Sequence, residues 1–186
     1  EILPNINLTK GYVKNVYGGG NQGNMECFSK TLNDCVAHTV SGNDIVSKVG
    51  AAGTEVVSTF VKIDGDDINI TGNVYGGCKK ANVGNTTNSA AFVYINKGNV
   101  NAIFGGNDIA GNCANTYVQI DGGTVKDVYG GSNGDYDYTQ PENGDTRPSN
   151  TKTNVYLRNG KITGSVFGGG LAGDCENTYL LVDGST

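Results

Sequence analysis

Short runs that alternate apolar with polar residues recur along the chain, each ending in a turn: "NINLTKG", "FVKIDG", "FVYINKG", "YVQIDGG", "NVYLRNG" and "YLLVDG". Their first apolar positions are Ile6, Val61, Val93, Val118, Val155 and Leu180. Alternation of this kind predicts half-buried strands, and no segment sustains a 3.6-residue apolar period, so the chain is expected to be all-β. A second signal follows the first five of these runs. "NVYGGG" begins at Asn15, "NVYGGC" at Asn73, "AIFGGN" at Ala102, "DVYGGS" at Asp127 and "SVFGGG" at Ser165. Each supplies a short apolar edge, an aromatic residue and a glycine corner. The gap between Ile6 and Val61 is too long for one unit. Within it, "HTVSGNDIVSKVGAAG" reads as a degraded copy with Ala51-Ala52 in place of the glycines.

Self-similarity of this kind, with long and short links alternating, marks a repeat architecture. The units fall near 6–19, 38–52, 61–77, 93–106, 118–131, 155–169 and 180–186, separated in places by long loops at 20–37, 78–92 and 132–154. Two solutions fit. One is a right-handed parallel β-helix, a solenoid of roughly six to seven short coils stacked about 4.8 Å apart over Val/Ile/Leu ladders. The other is an array of β-hairpins in which "DGG" and "RNGK" are two-residue turns. Equivalent apolar positions in every unit favour the β-helix, and Val125-x-x-Val128 lacks the strict alternation a hairpin strand needs. The long loops follow the first, third and fifth corners, so they are expected to emerge along one edge. Residues 1–186 read as a single domain and as a piece of something longer.

Composition narrows the classes. Glycine makes up 30 of 186 residues, about twice ordinary usage, and it sits at corners rather than in low-complexity runs. A net charge of −5 argues against a nucleic-acid partner, since phosphate neutralisation needs clustered Lys and Arg. No apolar run approaches the ~20 residues of a membrane span, so membrane insertion of this segment is not expected.

Units of the form "V-x-I-x-G-G-x-V-x-x-V-Y-G-G" resemble the glycine-corner β-helical repeats of large adhesin-like surface proteins of gut bacteria, from Ile6 to Thr186 apart from the variable loops. The resemblance implies an extracellular location at the bacterial cell surface and a binding or spacer role. The expected function is a non-catalytic repeat module, acting as adhesin, binding surface or filament and stalk scaffold. The alternative is a carbohydrate-binding or carbohydrate-active module, a polysaccharide lyase or glycoside hydrolase, on the same scaffold. Partners would be neighbouring repeats of the same or identical chains, and a host glycan or surface protein.

Gly18-x-Gly20-x-x-Gly23 and Gly168-x-Gly170-x-x-Gly173 satisfy a dinucleotide pattern. That pattern needs a following helix N-terminus to hold the pyrophosphate, whereas "DCENTYLLVDG" runs straight into a strand, so no cofactor is expected there. In "GDYDYTQPENGDT", Asp135, Asp137, Glu142 and Asp145 offer the hard oxygens calcium requires, but a solvated, Gly/Pro-punctuated loop is the favoured reading of the same letters. An acidic residue recurs beside the strand-ending turn at Asp64, Asp121 and Asp183, replaced by Asn96 and Arg158 elsewhere. Turn preference accounts for it better than paired-carboxylate catalysis does. His38 has no nucleophile and orienting group that spacing can place beside it. Five cysteines all follow glycine corners, and their odd number leaves at least one thiol unpaired. A Cys27–Cys35 disulfide across the first long loop is one pairing, while Cys113 and Cys175 occupy equivalent positions and read as small apolar fillers. Finally, Tyr17, Tyr75, Phe104, Tyr129 and Phe167 share one position, and Phe60, Phe92, Tyr117 and Tyr179 another. Stacked units would turn each set into a ladder, either a row for sugar rings or a structural stack with hydroxyls reaching water.

Overall fold

The computed structural model describes residues 5–24, 36–41, 44–49, 58–84, 87, 89–134 and 147–184, and all their regular structure is β. The first sheet runs in the order β1 (Asn5–Leu8), β6 (Ser58–Ile63), β8 (Ala90–Ile95), β10 (Asn115–Ile120), β12 (Ser149–Leu157) and β15 (Asp174–Val182). The second takes β2 (Gly11–Val13) with β3 (Val16–Tyr17), then β7 (Ile68–Tyr75), β9 (Asn99–Phe104), β11 (Thr124–Tyr129), and β13 (Lys161–Ile162) with β14 (Val166–Phe167). All pairing in both sheets is parallel. The five units at 6–19, 61–77, 93–106, 118–131 and 155–169 therefore each contribute to both sheets, and lie side by side in chain order. Strands flanking "DGG" and "RNG" belong to different sheets and do not pair, which removes the hairpin array.

One expected unit is not there. The described residues of the 38–52 stretch join neither sheet: β4 (Val36–Ser41) and β5 (Asp44–Val49) pair antiparallel with each other, and β1 pairs directly with β6, Ile6 opposite Val61. Its letters explain this. "SGND" carries the chemistry of a tight hairpin turn, and a segment without corner glycines lacks the bare Cα that stacking demands, as shown below.

Register places the first apolar positions in one line, Ile6–Val61–Val93–Val118–Val155–Leu180, and Ile63, Ile95, Ile120 and Leu157 in another. On the facing sheet Val74, Ile103 and Val128 align, as do Ile70, Val100 and Val125. All of these except the two terminal members, Ile6 and Leu180, are buried in one aliphatic cluster between the sheets. β-branched side chains suit such ladders, because their stiff χ1 packs against the same residue type one strand away. Each fully buried Val or Ile contributes ~1.5–3 kcal/mol, so the ladders are the main source of stability.

Two kinds of glycine shape the unit. Gly123, in the turn between sheets, has φ +76, a conformation that L side chains resist. The corner glycines are required by space instead. A Cβ built on Gly105 would lie under 3.0 Å from the carbonyl oxygen of Gly130, and Gly18, Gly76 and Gly130 meet the next unit's glycine carbonyl in the same way. Three of those four carbonyls accept side-chain bonds as well: Thr59, Thr116 and Thr153 donate their hydroxyls to Gly76, Gly130 and Gly168 of their own units.

After the corners the chain stacks a third time. Lys79 N–H donates to Gly20 O (3.0 Å), Asp108 N–H to Cys78 O (2.9 Å), Asn133 N–H to Asn107 O (2.9 Å) and Leu171 N–H to Ser132 O (3.1 Å). The described starts of the long loops, 20–24, 78–84 and 132–134, thus lie in line with the short links 107–114 and 170–173 on one side of the molecule.

Candidate functional site

Two rows of polar side chains run along the outer face of the first sheet where its strands end. Lys62, Tyr94, Gln119, Tyr156 and Leu181 occupy one strand position. Beside it Asp64, Asn96, Asp121, Arg158 and Asp183 stack through the turn, each backbone N–H bonded to the preceding unit. Lys62 Nζ lies 2.9 Å from Asp64 Oδ2, and Asn96 Nδ2 donates to Asp64 Oδ1 at 2.8 Å. Those two bonds, Lys62 first, hold the Asp64 carboxyl below its usual value. Gln119 Nε2 donates to Asp121 Oδ2 at 2.9 Å, and Arg158 Nη1 stands 3.9 Å from the same oxygen. Lys62 also caps the Tyr94 ring at 5.9 Å. This is a self-neutralising face.

The second sheet carries the aromatic ladder on its outer side. Tyr17, Tyr75, Phe104, Tyr129 and Phe167 stack with centroid separations of 4.8, 5.2, 4.7 and 4.9 Å and interplanar angles of 11°, 13°, 5° and 9°. At these separations the ring faces are occupied by one another, leaving no slot for a sugar ring between them. Tyr75 and Phe104 are only 3% exposed, while Phe167 at the end of the row is 46% exposed. Buried Asp108 gathers the polar ends: Tyr17 Oη donates to its Oδ2 at 2.9 Å and Asn133 Nδ2 to its Oδ1 at 2.9 Å, while Asn73 Nδ2 donates to Tyr75 Oη at 2.8 Å. The ladder as built is a structural stack with anchored hydroxyls. In the other aromatic set Phe92 and Tyr117 stack at 4.8 Å, and Asn154 interrupts the row before Tyr179.

Burial, and after it the Asp108 carboxylate, raises the Tyr17 phenol well above its ordinary 10; burial does the same for Tyr75. Tyr94 is pushed up to about 12, by burial first and then by Asp121. A phenol raised in the folded state holds its proton more tightly there than in the unfolded chain. The stabilisation is complete below pH ~10 and is lost as pH rises from there through the folded value. Absorbance titration should therefore show phenolate appearing later in the native chain than in denaturant, with stability falling above pH ~10. Coincident native and denatured titration curves would contradict the anchored ladder.

Asp135, Asp137, Glu142 and Asp145, read as calcium ligands, lie outside the described residues, as do Cys27 and Cys35 with their disulfide. Among the described residues no group of three or more His, Cys, Asp or Glu is placed to hold a metal ion. His38 sits in the separate hairpin opposite Ser47. Gly168–Gly173 lead directly into β15, and no helix follows either glycine pattern among the described residues. Cys78 and Cys113 are buried together in one small cluster, and burial pushes the Cys113 thiol up. Asp108, Asn107, Ser132 and Asn150 are the polar residues that repeat reasoning missed. Their only signal is position: Asn107 and Ser132 follow directly on a glycine pair. No family model matches this chain, nor does any curated protein or any solved structure.

Proposed function

We propose that the chain is a right-handed parallel β-helix forming a non-catalytic, extracellular module of a bacterial surface protein, a rigid scaffold that displays a binding surface. The observation that carries this reading is the shared unit order of both parallel sheets, with the post-corner loops stacked as a third side. Stacking of this kind makes a quasi-one-dimensional body in which each unit contacts only its neighbours. Length can then be added without redesigning the core. Leu180 and Val182 extend two ladders and are 43% and 60% exposed. These are the seats that a neighbouring repeat, of the same or an identical chain, would cover. The charged rows favour display over catalysis, because their groups pair with one another.

The test has two arms. An antibody against residues 89–134 should label intact cells that carry the native gene, and external protease should abolish the signal. The purified chain, incubated with neutral and acidic polysaccharides, should release no new reducing ends and no unsaturated uronate. Labelling only after lysis would sink the surface assignment, and depolymerisation would replace the scaffold with the carbohydrate-active alternative.

A further inference from the structure

On the outer side of the loop stack, amide side chains bridge successive units. Asn82 N–H donates to Asn24 Oδ1 at 3.0 Å, Asn112 N–H donates to Asn82 Oδ1 at 2.8 Å, and Ser149 Oγ donates to Asn112 Oδ1 at 2.9 Å. The Asn112 N–H fixes the Asn82 amide, because a backbone N–H must face oxygen; at Asn112 the Ser149 hydroxyl is the donor and Oδ1 the acceptor. Asn82 and Asn112 therefore hold their Oδ1 atoms inward, along the stack, and neither Nδ2 has a hydrogen-bond partner among the described residues. Beside them lies a cleft of about 310 Å³, lined by Asn82, Val83, Asn112, Ala114, Ser149 and Thr151 among others. Among the described residues, no Lys, Arg, Asp or Glu lines it.

We infer that this cleft binds a neutral glycan, with Asn82 Nδ2, Asn112 Nδ2 and the Thr151 hydroxyl donating to sugar oxygens. The inference rests on the display-scaffold reading and names the ligand class. Three observations carry it. The donors are pre-oriented by the fold, so binding does not bear the cost of ordering them. They repeat at the unit spacing of about 4.8 Å, close to one pyranose residue in an extended chain. The lining is uncharged and offers amide, hydroxyl and small aliphatic groups, which suit a polyol better than a charged ligand. A peptide is disfavoured because the cleft has no deep apolar pocket for an anchoring side chain.

The test uses the full chain, with cellotetraose, mannotetraose and chitotetraose as neutral probes, tetragalacturonate as a charged one, and a polar Ser/Thr/Asn peptide. Binding is read by calorimetry and by amide NMR shifts. Asn112→Asp keeps the acceptor for Ser149 and removes the donor, and Thr151→Val removes a hydroxyl at near-constant volume, so both should fold. At least one neutral oligosaccharide is expected to bind and to shift amides in 82–84 and 112–114. Each substitution should weaken it ~10-fold, while Asp121→Asn on the charged face leaves it unchanged. Four results would overturn the inference: no binding of any neutral probe at millimolar concentration, binding indifferent to both substitutions, binding of tetragalacturonate alone, or shifts of these amides by the peptide alone. None of them bears on the surface assignment, which intact-cell labelling decides separately.

Discussion

Gly105→Ala is expected to cost about 3 kcal/mol or more and to break the stack into separately unfolding parts, whereas Gly23→Ala is expected to be close to neutral. The methyl added at position 105 would stand where the Gly130 carbonyl oxygen, the Thr116 Cβ and the Val118 side chain already lie. These neighbours are backbone or β-branched atoms with no rotamer to escape into, so the units must separate. Overpacking a rigid core costs ~1–3 kcal/mol, and more where backbone must move. The damage would also spread beyond one contact. Parallel units transmit register through the corner, and Gly105 lies in a central unit of both sheets. At Gly23 an added Cβ meets nothing within 4 Å among the described residues, so the same substitution there chiefly lowers unfolded-chain entropy, an effect of ~0.4–1 kcal/mol in the stabilising direction. Denaturant melts followed by circular dichroism separate the two cases. A Gly105→Ala chain with an unchanged midpoint would mean that the corners do not approach as closely as described.

That close approach explains which parts of the fold were legible in the sequence. Alternation and corner glycines together aligned Ile6, Val61, Val93, Val118, Val155 and Leu180, and the pairing registers place those same residues side by side. Such positions are legible because every unit solves the same packing problem with the same residue type. The 38–52 stretch misled because its apolar alternation is also that of an antiparallel hairpin; only its missing glycines distinguish the two. At the candidate sites, alignment showed that Asp64, Asn96, Asp121, Arg158 and Asp183 share a position. It could not show that Lys62 closes on Asp64 or that Gln119 reaches Asp121, since those contacts depend on side-chain direction within and across units. The buried polar residues after the corners were least legible. Cys78, Asn107 and Ser132 hold one position with three different chemistries, and no period records that.

Those polar residues carry the second large effect. Asn107 is fully buried; its Oδ1 accepts from Cys78 N–H at 2.8 Å and its Nδ2 donates to Ala81 O at 3.0 Å. It is tied to the next units through Ser132. Asn107 N–H donates to Ser132 Oγ at 2.9 Å, Ser132 Oγ donates to Asn150 Oδ1 at 3.0 Å, and Asn150 Nδ2 donates to Cys113 O at 2.8 Å. The second corner glycine belongs to the same arrangement, because a Cβ on Gly77 would collide with Asn107 Oδ1. Asn107→Ala leaves a buried N–H and a buried carbonyl without partners, each costing ~1–3 kcal/mol. The expected loss is therefore ~2–6 kcal/mol, large for a single polar side chain. Asn107→Asp should do no better. It keeps the acceptor for Cys78 but turns an oxygen toward Ala81 O and buries a charge, so its deficit should shrink at acid pH as the carboxyl protonates. Ser132 Oγ accepts from the Asn107 backbone N–H, a bond that Asn107→Ala keeps, and donates to Asn150 Oδ1, so the directly coupled side chains are Ser132 and Asn150. A double-mutant cycle of Ser132→Ala with Asn150→Ala should return a coupling of ~0.5–2 kcal/mol. A loss below ~0.5 kcal/mol for Asn107→Ala, or strict additivity of Ser132→Ala and Asn150→Ala, would reduce the network to incidental contacts and leave the aliphatic ladders to hold the loop side alone.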